Sequence, residues 1–299
     1  MTRRPAALTP ALSTPAEVDL RELITADSLL IALDFDGVLA PLQDDPETSR
    51  MVPESAAAIT ALAELPHTRV ALVSGRDIAT LRRLTAVGDA VWLIGSHGAE
   101  AELGRGAAAS RSPDLSAREE EMLAAIDAHI LAFEHTLAGE SAATGFRVEA
   151  KPYSRTVHTR GFDPVLADAL HEHAIAVAQE YPDIRIIEGH DITELAVKQA
   201  TKGDGVRLLF RAEEPTAMAY LGDDVTDEDA FTALKELSAD SAVTDPSPTT
   251  ARTVAAGLTV KVGRAPTGAA WRIADPGAVA LLLARLATSR AEHLGAPLP

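Results

Sequence analysis

Leu29-Leu30-Ile31-Ala32-Leu33-Asp34-Phe35-Asp36-Gly37 is an unbroken apolar run that ends in two carboxylates and a glycine. Five consecutive apolar residues leave no polar face, the pattern of a strand buried on both sides within a parallel sheet. Side chains alternate along an extended segment, so Asp34 and Asp36 project to one side, and Gly37 lets the chain turn away at once. The stretch offers a cation site and a nucleophile within four residues. A carboxylate can attack phosphorus and form an acyl phosphate if a metal offsets the repulsion between the two anions. Taken alone, the same acids also suit a helix cap, a Ca²⁺ loop or a solvated turn.

Downstream of this strand the pattern alternates. Residues 53–65 place Ala57, Ile59, Leu62 and Leu65 at near-helical spacing behind Pro53, which suits a helix start. A second strand over 69–73 runs into Ser74-Gly75-Arg76, and a helix follows over 77–84. A small hydroxyl and a glycine between strand and helix make a corner where O–H and N–H groups can donate to phosphate, although Ser74 also suits an ordinary helix cap. The third strand, 91–94, leads into Gly95-Ser96-His97-Gly98. Strand–helix alternation indicates βαβ units whose loops gather at one sheet edge, making Asp34 and Ser74 neighbours and giving His97 a route to the same edge.

Between about 103 and 197 the order changes to helix, strand, strand, helix, strand, strand. A helical stripe of Met122, Leu123, Ile126, Ile130 and Phe133 is followed by a break at 139–145. Short alternating runs at 146–150 and 155–160 join across Lys151-Pro152-Tyr153-Ser154 as a hairpin. A helix over 164–180 and strands over 184–187 and 191–197 complete a small α+β domain inserted into the first. Its strands concentrate Glu149, Lys151, His158, Arg160 and Glu194, as a solvated sheet face also would.

The first domain resumes at Thr201-Lys202-Gly203, with a helix through 209. A lysine at a helix start opposes the macrodipole, and a nearby anion would account for it. A strand over 217–221 then ends in Gly222-Asp223-Asp224-Val225-Thr226-Asp227-Glu228-Asp229. Thr226 and Asp229 have the spacing of a capping box, which gives part of this acidity a structural reason. Asp223 and Asp224 precede the cap, at the same edge as Asp34, where carboxylates repel unless a hard cation sits among them. Strands over 259–262 and 271–273 and a helix over 276–286 close the domain.

Composition bounds the partners. The 299 residues carry a formal net charge of −17 and no cysteine. That charge argues against nucleic acid or an anionic membrane as partner, and the missing thiols exclude disulfides and thiolate metal sites. No apolar stretch reaches the ~18 residues a membrane span needs, and prolines at 5, 10 and 15 interrupt any leader-like segment. A cytoplasmic monomer is expected, with a loose N-terminal tail over 1–27 and a loose C-terminal tail over 289–299.

In order and spacing these motifs resemble the haloacid dehalogenase (HAD) superfamily of phosphohydrolases, and within it the trehalose-6-phosphate phosphatases. The likeness rests on Asp34-Phe35-Asp36-Gly37-Val38-Leu39-Ala40-Pro41, Ser74-Gly75-Arg76, Gly95-Ser96-His97-Gly98, Lys202-Gly203 and Gly222-Asp223-Asp224-Val225-Thr226-Asp227-Glu228-Asp229-Ala230-Phe231. It implies an α/β fold: a Rossmann-like HAD core with a parallel sheet over 28–102 and 198–288, and an inserted α+β cap of C2 type over 103–197. It further implies Asp34 as nucleophile, Asp36 as acid and then base, and Mg²⁺ held by Asp34, the Asp36 carbonyl and Asp223. Asp224 and Asp227 would support this site, and Ser74, Gly75 and Lys202 would bind the phosphoryl group. Arg76 and His97 at the edge, with Glu149, Lys151, His158, Arg160 and Glu194 from the cap, would contact a small sugar phosphate.

The chain departs from the family's usual pattern at Val38, often Thr, at Ala196-Val197, often Arg-Pro, and at His190, often Lys. These bear on which sugar is bound rather than on phosphate chemistry. Trehalose 6-phosphate is the expected substrate. A sibling activity on sucrose- or glucosylglycerol-phosphate and a binding module that regulates a synthase are the alternatives. Against a binding module, Asp34, Asp36, Ser74, Lys202 and Asp223 are all intact.

Overall fold

The computed structural model describes residues 9–104, 111–137, 147–159, 164–189, 192–239 and 254–297. It divides into two compact units, Met1–Arg111 with Thr201–Pro299, and Ser112–Ala200. In chain order the first unit contains α1 (Arg21–Thr25), β1 (Leu29–Leu33), α2 (Pro53–Glu64), β2 (Thr68–Val73), α3 (Ile78–Thr85), β3 (Trp92–Gly95) and β4 (Glu100–Glu102). The second holds α4 (Ala117–Leu137), β5 (Arg147–Lys151), β6 (Ser154–His158), α5 (Pro164–Glu180), β7 (Arg185–Gly189) and β8 (Ile192–Ala196). The first then resumes with α6 (Lys202–Glu213), β9 (Ala217–Gly222), α7 (Asp227–Ala239), β10 (Ala256–Val262), β11 (Trp271–Ile273) and α8 (Pro276–Leu294).

The large sheet has the order β11-β10-β9-β1-β2-β3-β4, parallel except for the β3–β4 pair. β1 is its middle strand, buried along its whole length. Leu29, Ile31 and Leu33 pack with Ile59, Leu62, Leu282 and Leu286 of α2 and α8 on one face. Leu30 and Ala32 pack with Leu209, Phe231 and Leu234 of α6 and α7 on the other. Each buried Leu or Ile is worth about 1.5–3 kcal/mol of transfer free energy, so this strand anchors both layers. Strand order reverses at β1: β2 and β3 lie to one side, β9, β10 and β11 to the other. In an open α/β sheet that reversal opens a crevice at the carboxyl ends of the two diverging strands. Asp34 follows β1 and Asp223 follows β9.

In the second unit β5-β6-β8-β7 form an antiparallel sheet. Ile130 and Phe133 of α4 and Leu170, Ala174 and Val177 of α5 line an apolar pocket with Val157 and Leu195 of this sheet. Register puts Glu149, Thr156 and Glu194 in one cross-strand row, flanked by the rows of Lys151 with Ser154 and of Arg147 with His158. These side chains alternate with Val157 and Leu195 and therefore occupy the face turned away from the helices.

Three expectations need correction. The segment over 9–27 is not loose, because Leu20 and Leu23 are buried and α1 forms within it. Residues beyond 289 are not loose either: α8 continues to Leu294, and Arg290 inside it is fully buried. The units divide at Arg111/Ser112 and Ala200/Thr201 rather than after 102 and 197. No helix among the described residues is long and apolar enough to cross a membrane.

Candidate active site

Beyond Leu33 the chain leaves the sheet and folds back tightly. Gly37 N–H donates to the Ala40 carbonyl at 2.8 Å, and the Leu39 and Ala40 N–H groups both donate to that of Phe35 at 2.9 Å. Phe35, Val38, Leu39 and Ala40 are buried and hold this turn in the core, which fixes where Asp34 and Asp36 emerge. Gly37 has a φ of +75°, and a Cβ there would lie 1.9 Å from Asp223 Oδ2. The glycine is a notch that the Asp223 carboxylate fills.

Asp34 is 3 % exposed. Its Oδ1 accepts from Phe35 N–H at 2.7 Å, and Oδ2 lies 2.9 Å from Lys202 Nζ. The same ammonium donates to Asp227 Oδ1 at 2.7 Å. Lys202 is N1 of α6, behind a capping box in which the Thr201 hydroxyl accepts from Asp204 N–H and Asp204 accepts from Thr201 N–H. The cap and two carboxylates together explain a lysine at a helix start. Burial alone would lower its pKa, but the charges of Asp227 and Asp34 outweigh it and the net shift is upward.

Asp227 is saturated. Oδ1 also accepts from the Tyr220 hydroxyl at 2.7 Å, and Oδ2 accepts from the N–H groups of Asp223 and Asp224 at 2.9 Å each. Burial opposes its ionisation, yet Lys202 and these donors keep its pKa below the usual value. Asp34 goes the other way: burial raises its pKa, aided by the charges of Asp227 and Asp223 and resisted by Lys202. Burial, reinforced by Asp227, likewise pushes Asp223 up to about 7.

One oxygen each from Asp34, Asp223 and Asp227 lies within 4.8 Å of the others. An all-oxygen set of this charge suits a hard divalent cation. With four hydrogen bonds Asp227 has no lone pair left, and no described N–H or O–H donates to the Asp223 carboxylate. Asp34 and Asp223 are thus the carboxylates with oxygen to offer, and the residues fit such an ion.

Arg76 and His97, expected at the edge, each make contacts within the first unit. Arg76 pairs with Asp36 through both oxygens, at 2.6 and 2.9 Å, and also donates to the Pro46 carbonyl and to Ser49 Oγ. It is a buried brace on Asp36. His97, also buried, has φ 54°, donates its N–H to the Ser74 carbonyl at 3.0 Å and packs its ring on Gly75, where a Cβ would come within 2.5 Å of it. Ser74 Oγ accepts from Arg76 N–H at 3.2 Å, leaving its proton to donate outward.

In the second unit Glu194 is 2 % exposed and accepts from Lys151 Nζ at 2.7 Å and Ser154 Oγ at 2.6 Å. Glu149 meets His158 Nε2 at 3.3 Å. Four expected residues therefore share one face. Arg160 and His190 lie outside the described residues. Sequence reasoning passed over Thr156, which sits in the row between Glu149 and Glu194. It is 1 % exposed, and its hydroxyl has no hydrogen-bond partner among the described residues. Tyr220 and Lys261 were passed over too. The signal for each was a polar tip inside an otherwise apolar strand.

The chain is similar to several known proteins. The family model for trehalose-phosphatase matches residues 32–268. A trehalose 6-phosphate phosphatase of Zea mays is 28 % identical over 283 residues, covering 88 % of this chain and 70 % of that protein. A trehalose-phosphate phosphatase of Mycobacterium leprae is 32 % identical over 250 residues, covering 78 % and 53 %. Among solved structures, the C-terminal domain of trehalose-6-phosphate phosphatase from C. albicans superposes with a TM-score of 0.75 at 25 % identity, covering 94 % of this chain and 99 % of that one. That family model spans the acidic turn after β1, the cluster after β9 and the whole second unit between them, and the chain belongs to the trehalose-phosphatase family.

Proposed function

We propose that the protein hydrolyses trehalose 6-phosphate to trehalose and phosphate through an aspartyl phosphate on Asp34. The observation that carries this reading is the Lys202 ammonium, buried between Asp34 and Asp227 with Asp223 alongside at the point where strand order reverses. A phosphoryl group in transfer needs alignment and positive charge more than covalent help. An ammonium has three protons, and two are engaged among the described residues, which leaves the third for a phosphoryl oxygen, with the Ser74 hydroxyl as a second donor.

Asp34 contributes the attacking oxygen. Its P–O bond forms as the bond from phosphorus to the sugar oxygen breaks, and Asp36 gives that oxygen its proton. Arginine offers donors only, and both Asp36 oxygens face Arg76. Proton donation therefore requires Asp36 to release at least one of these contacts. In the second half Asp36 takes a proton from water as it attacks phosphorus, which frees phosphate and restores Asp34. A bound Mg²⁺ would be held by Asp34, Asp223 and the Asp36 carbonyl and would neutralise charge between nucleophile and phosphate.

For the sugar, the polar face of the second unit offers Glu149, Lys151, His158, Glu194 and the Thr156 hydroxyl, unpartnered among the described residues, a set that pairs with hydroxyls and disfavours ligands that leave it unsatisfied. A cytoplasmic monomer completes the reading; the cysteine-free sequence supports the compartment, and light scattering checks the state. The test is phosphate release with Mg²⁺ or EDTA from trehalose 6-phosphate, sucrose 6-phosphate and glucose 6-phosphate. Strong preference for the first is expected. Even turnover across the panel would remove the sugar assignment, and full activity in EDTA or in Asp34→Asn would remove the mechanism.

A further inference from the structure

Lys261 lies on β10 opposite Gly222 of β9 and is 1 % exposed. Its Nζ donates to the backbone carbonyls of Asp223 and Asp224, the latter at 3.3 Å, and it forms no ion pair among the described residues. Taking an ammonium out of water is costly even with carbonyl acceptors, so a lysine here is an expensive replacement for the Val or Ile the strand would otherwise carry.

On the other side of the same loop, Asp227 Oδ2 takes the N–H groups of Asp223 and Asp224. One pair of residues is thus held at its N–H groups by an anion and at its carbonyls by a cation. We propose that Lys261 is a positioning residue for the divalent-cation site: with Asp227 it clamps the backbone of Asp223 and Asp224 and so keeps the Asp223 carboxylate in the notch at Gly37. The inference rests on Asp34 and Asp223 forming a cation site.

A positioning role and a purely electrostatic role predict opposite signs. If Lys261 acted only through its charge, removing it would leave the acidic cluster more negative and a divalent cation would bind more tightly. If it positions Asp223, removing it lets the loop relax and binding weakens, by about 10–100-fold when a partner that orients a metal ligand is lost.

Mn²⁺ serves as the probe, since the free ion is counted directly from its paramagnetic resonance spectrum without turnover. The full-length protein, Lys261→Met and Lys261→Gln are titrated at one pH and ionic strength, with circular dichroism as the check on folding. Lys261→Met is expected to bind Mn²⁺ about 10–100-fold more weakly. Lys261→Gln, which keeps an N–H donor without charge, is expected to fall between it and the unmodified protein. Unchanged or tighter binding in Lys261→Met overturns the proposal. If that variant does not fold, the glutamine variant decides on the same sign. Failure of the unmodified protein to bind Mn²⁺ overturns the cation-site reading, an outcome distinct from equal binding by all three.

Discussion

Two carboxylates and one ammonium are buried together at Asp34, Asp227 and Lys202, and removing the shared partner leaves uncompensated charge. Lys202→Met is expected to lower stability by about 3–5 kcal/mol, as measured by denaturant unfolding, and to depress turnover of every phosphoester tried. Asp34 and Asp223 have a different signature. Both pKa values are raised by burial, Asp223 to about 7 from 3.8. A carboxyl that holds its proton more firmly when folded stabilises the protein below its unfolded pKa and loses that contribution as pH rises through the folded one. In EDTA the melting temperature is therefore expected to fall between about pH 4 and pH 7, less steeply in Asp223→Asn. Identical slopes for the two proteins would contradict the raised value. At this scale the sequence disclosed identities and spacing but not partners. Asp34, Asp36, Ser74 and Asp223 stood out because acids and a small residue follow strands, and Lys202 because it opens a helix. That Arg76 braces Asp36, and that Lys202 joins the near neighbours that donate to Asp227, depends on side chains far apart in the chain.

Strands β1, β2 and β9 were legible because runs buried on both faces have no competing pattern. β4 was not, since Glu-Ala-Glu over three residues carries no apolar signal, and its pairing comes from β3 beside it. A capping box that the sequence reading passed over forms at Thr201 with Asp204, where it offsets the electrostatic cost of Lys202 at N1. In the second unit, alternation put the polar residues on one face, whereas the burial of Glu194 under Lys151 and Ser154 required the register. The face and the phosphate site make separable claims. Glu149→Ala is expected to raise KM for trehalose 6-phosphate with much less effect on a small aryl phosphate, because losing a pairing group penalises only ligands that use it. Equal loss on both substrates would mean that Glu149 serves the fold.

The N-terminal segment shows what a sequence pattern cannot reveal about a whole molecule. Residues 9–27 look like a tail, with prolines at 10 and 15 ahead of a short amphipathic piece, yet α8 ties them down from the far end of the chain. Arg285 donates to the carbonyls of Pro15 and Val18. Arg290, fully buried, donates to the carbonyls of Leu23, Ile24, Ala26 and His67 and to Thr68 Oγ1. It thereby satisfies the carbonyls that α1 leaves open at its C-terminal end. Arg290→Met strands these acceptors without water. A loss of about 3 kcal/mol is expected, seen as a melting temperature lower by about 6–12 °C, with activity per folded molecule unchanged at 25 °C. A shift under 2 °C would show that solvent or neighbouring groups replace the guanidinium.

The middle place of β1 in its sheet has a consequence for how the protein comes into being. Leu29 pairs on one side with Thr68 and on the other with Ala217, so one flank closes early in synthesis and the other waits for the entire second unit. Contacts so distant in sequence fold slowly, and translation adds only about 5–20 residues per second. Through that interval a nascent chain has Asp34 and Ser74 but not yet Lys202, Asp223 or Asp227. A product cut short before Asp227 lacks charges that Asp34 and Lys202 meet in the finished fold, and it is expected to release no phosphate.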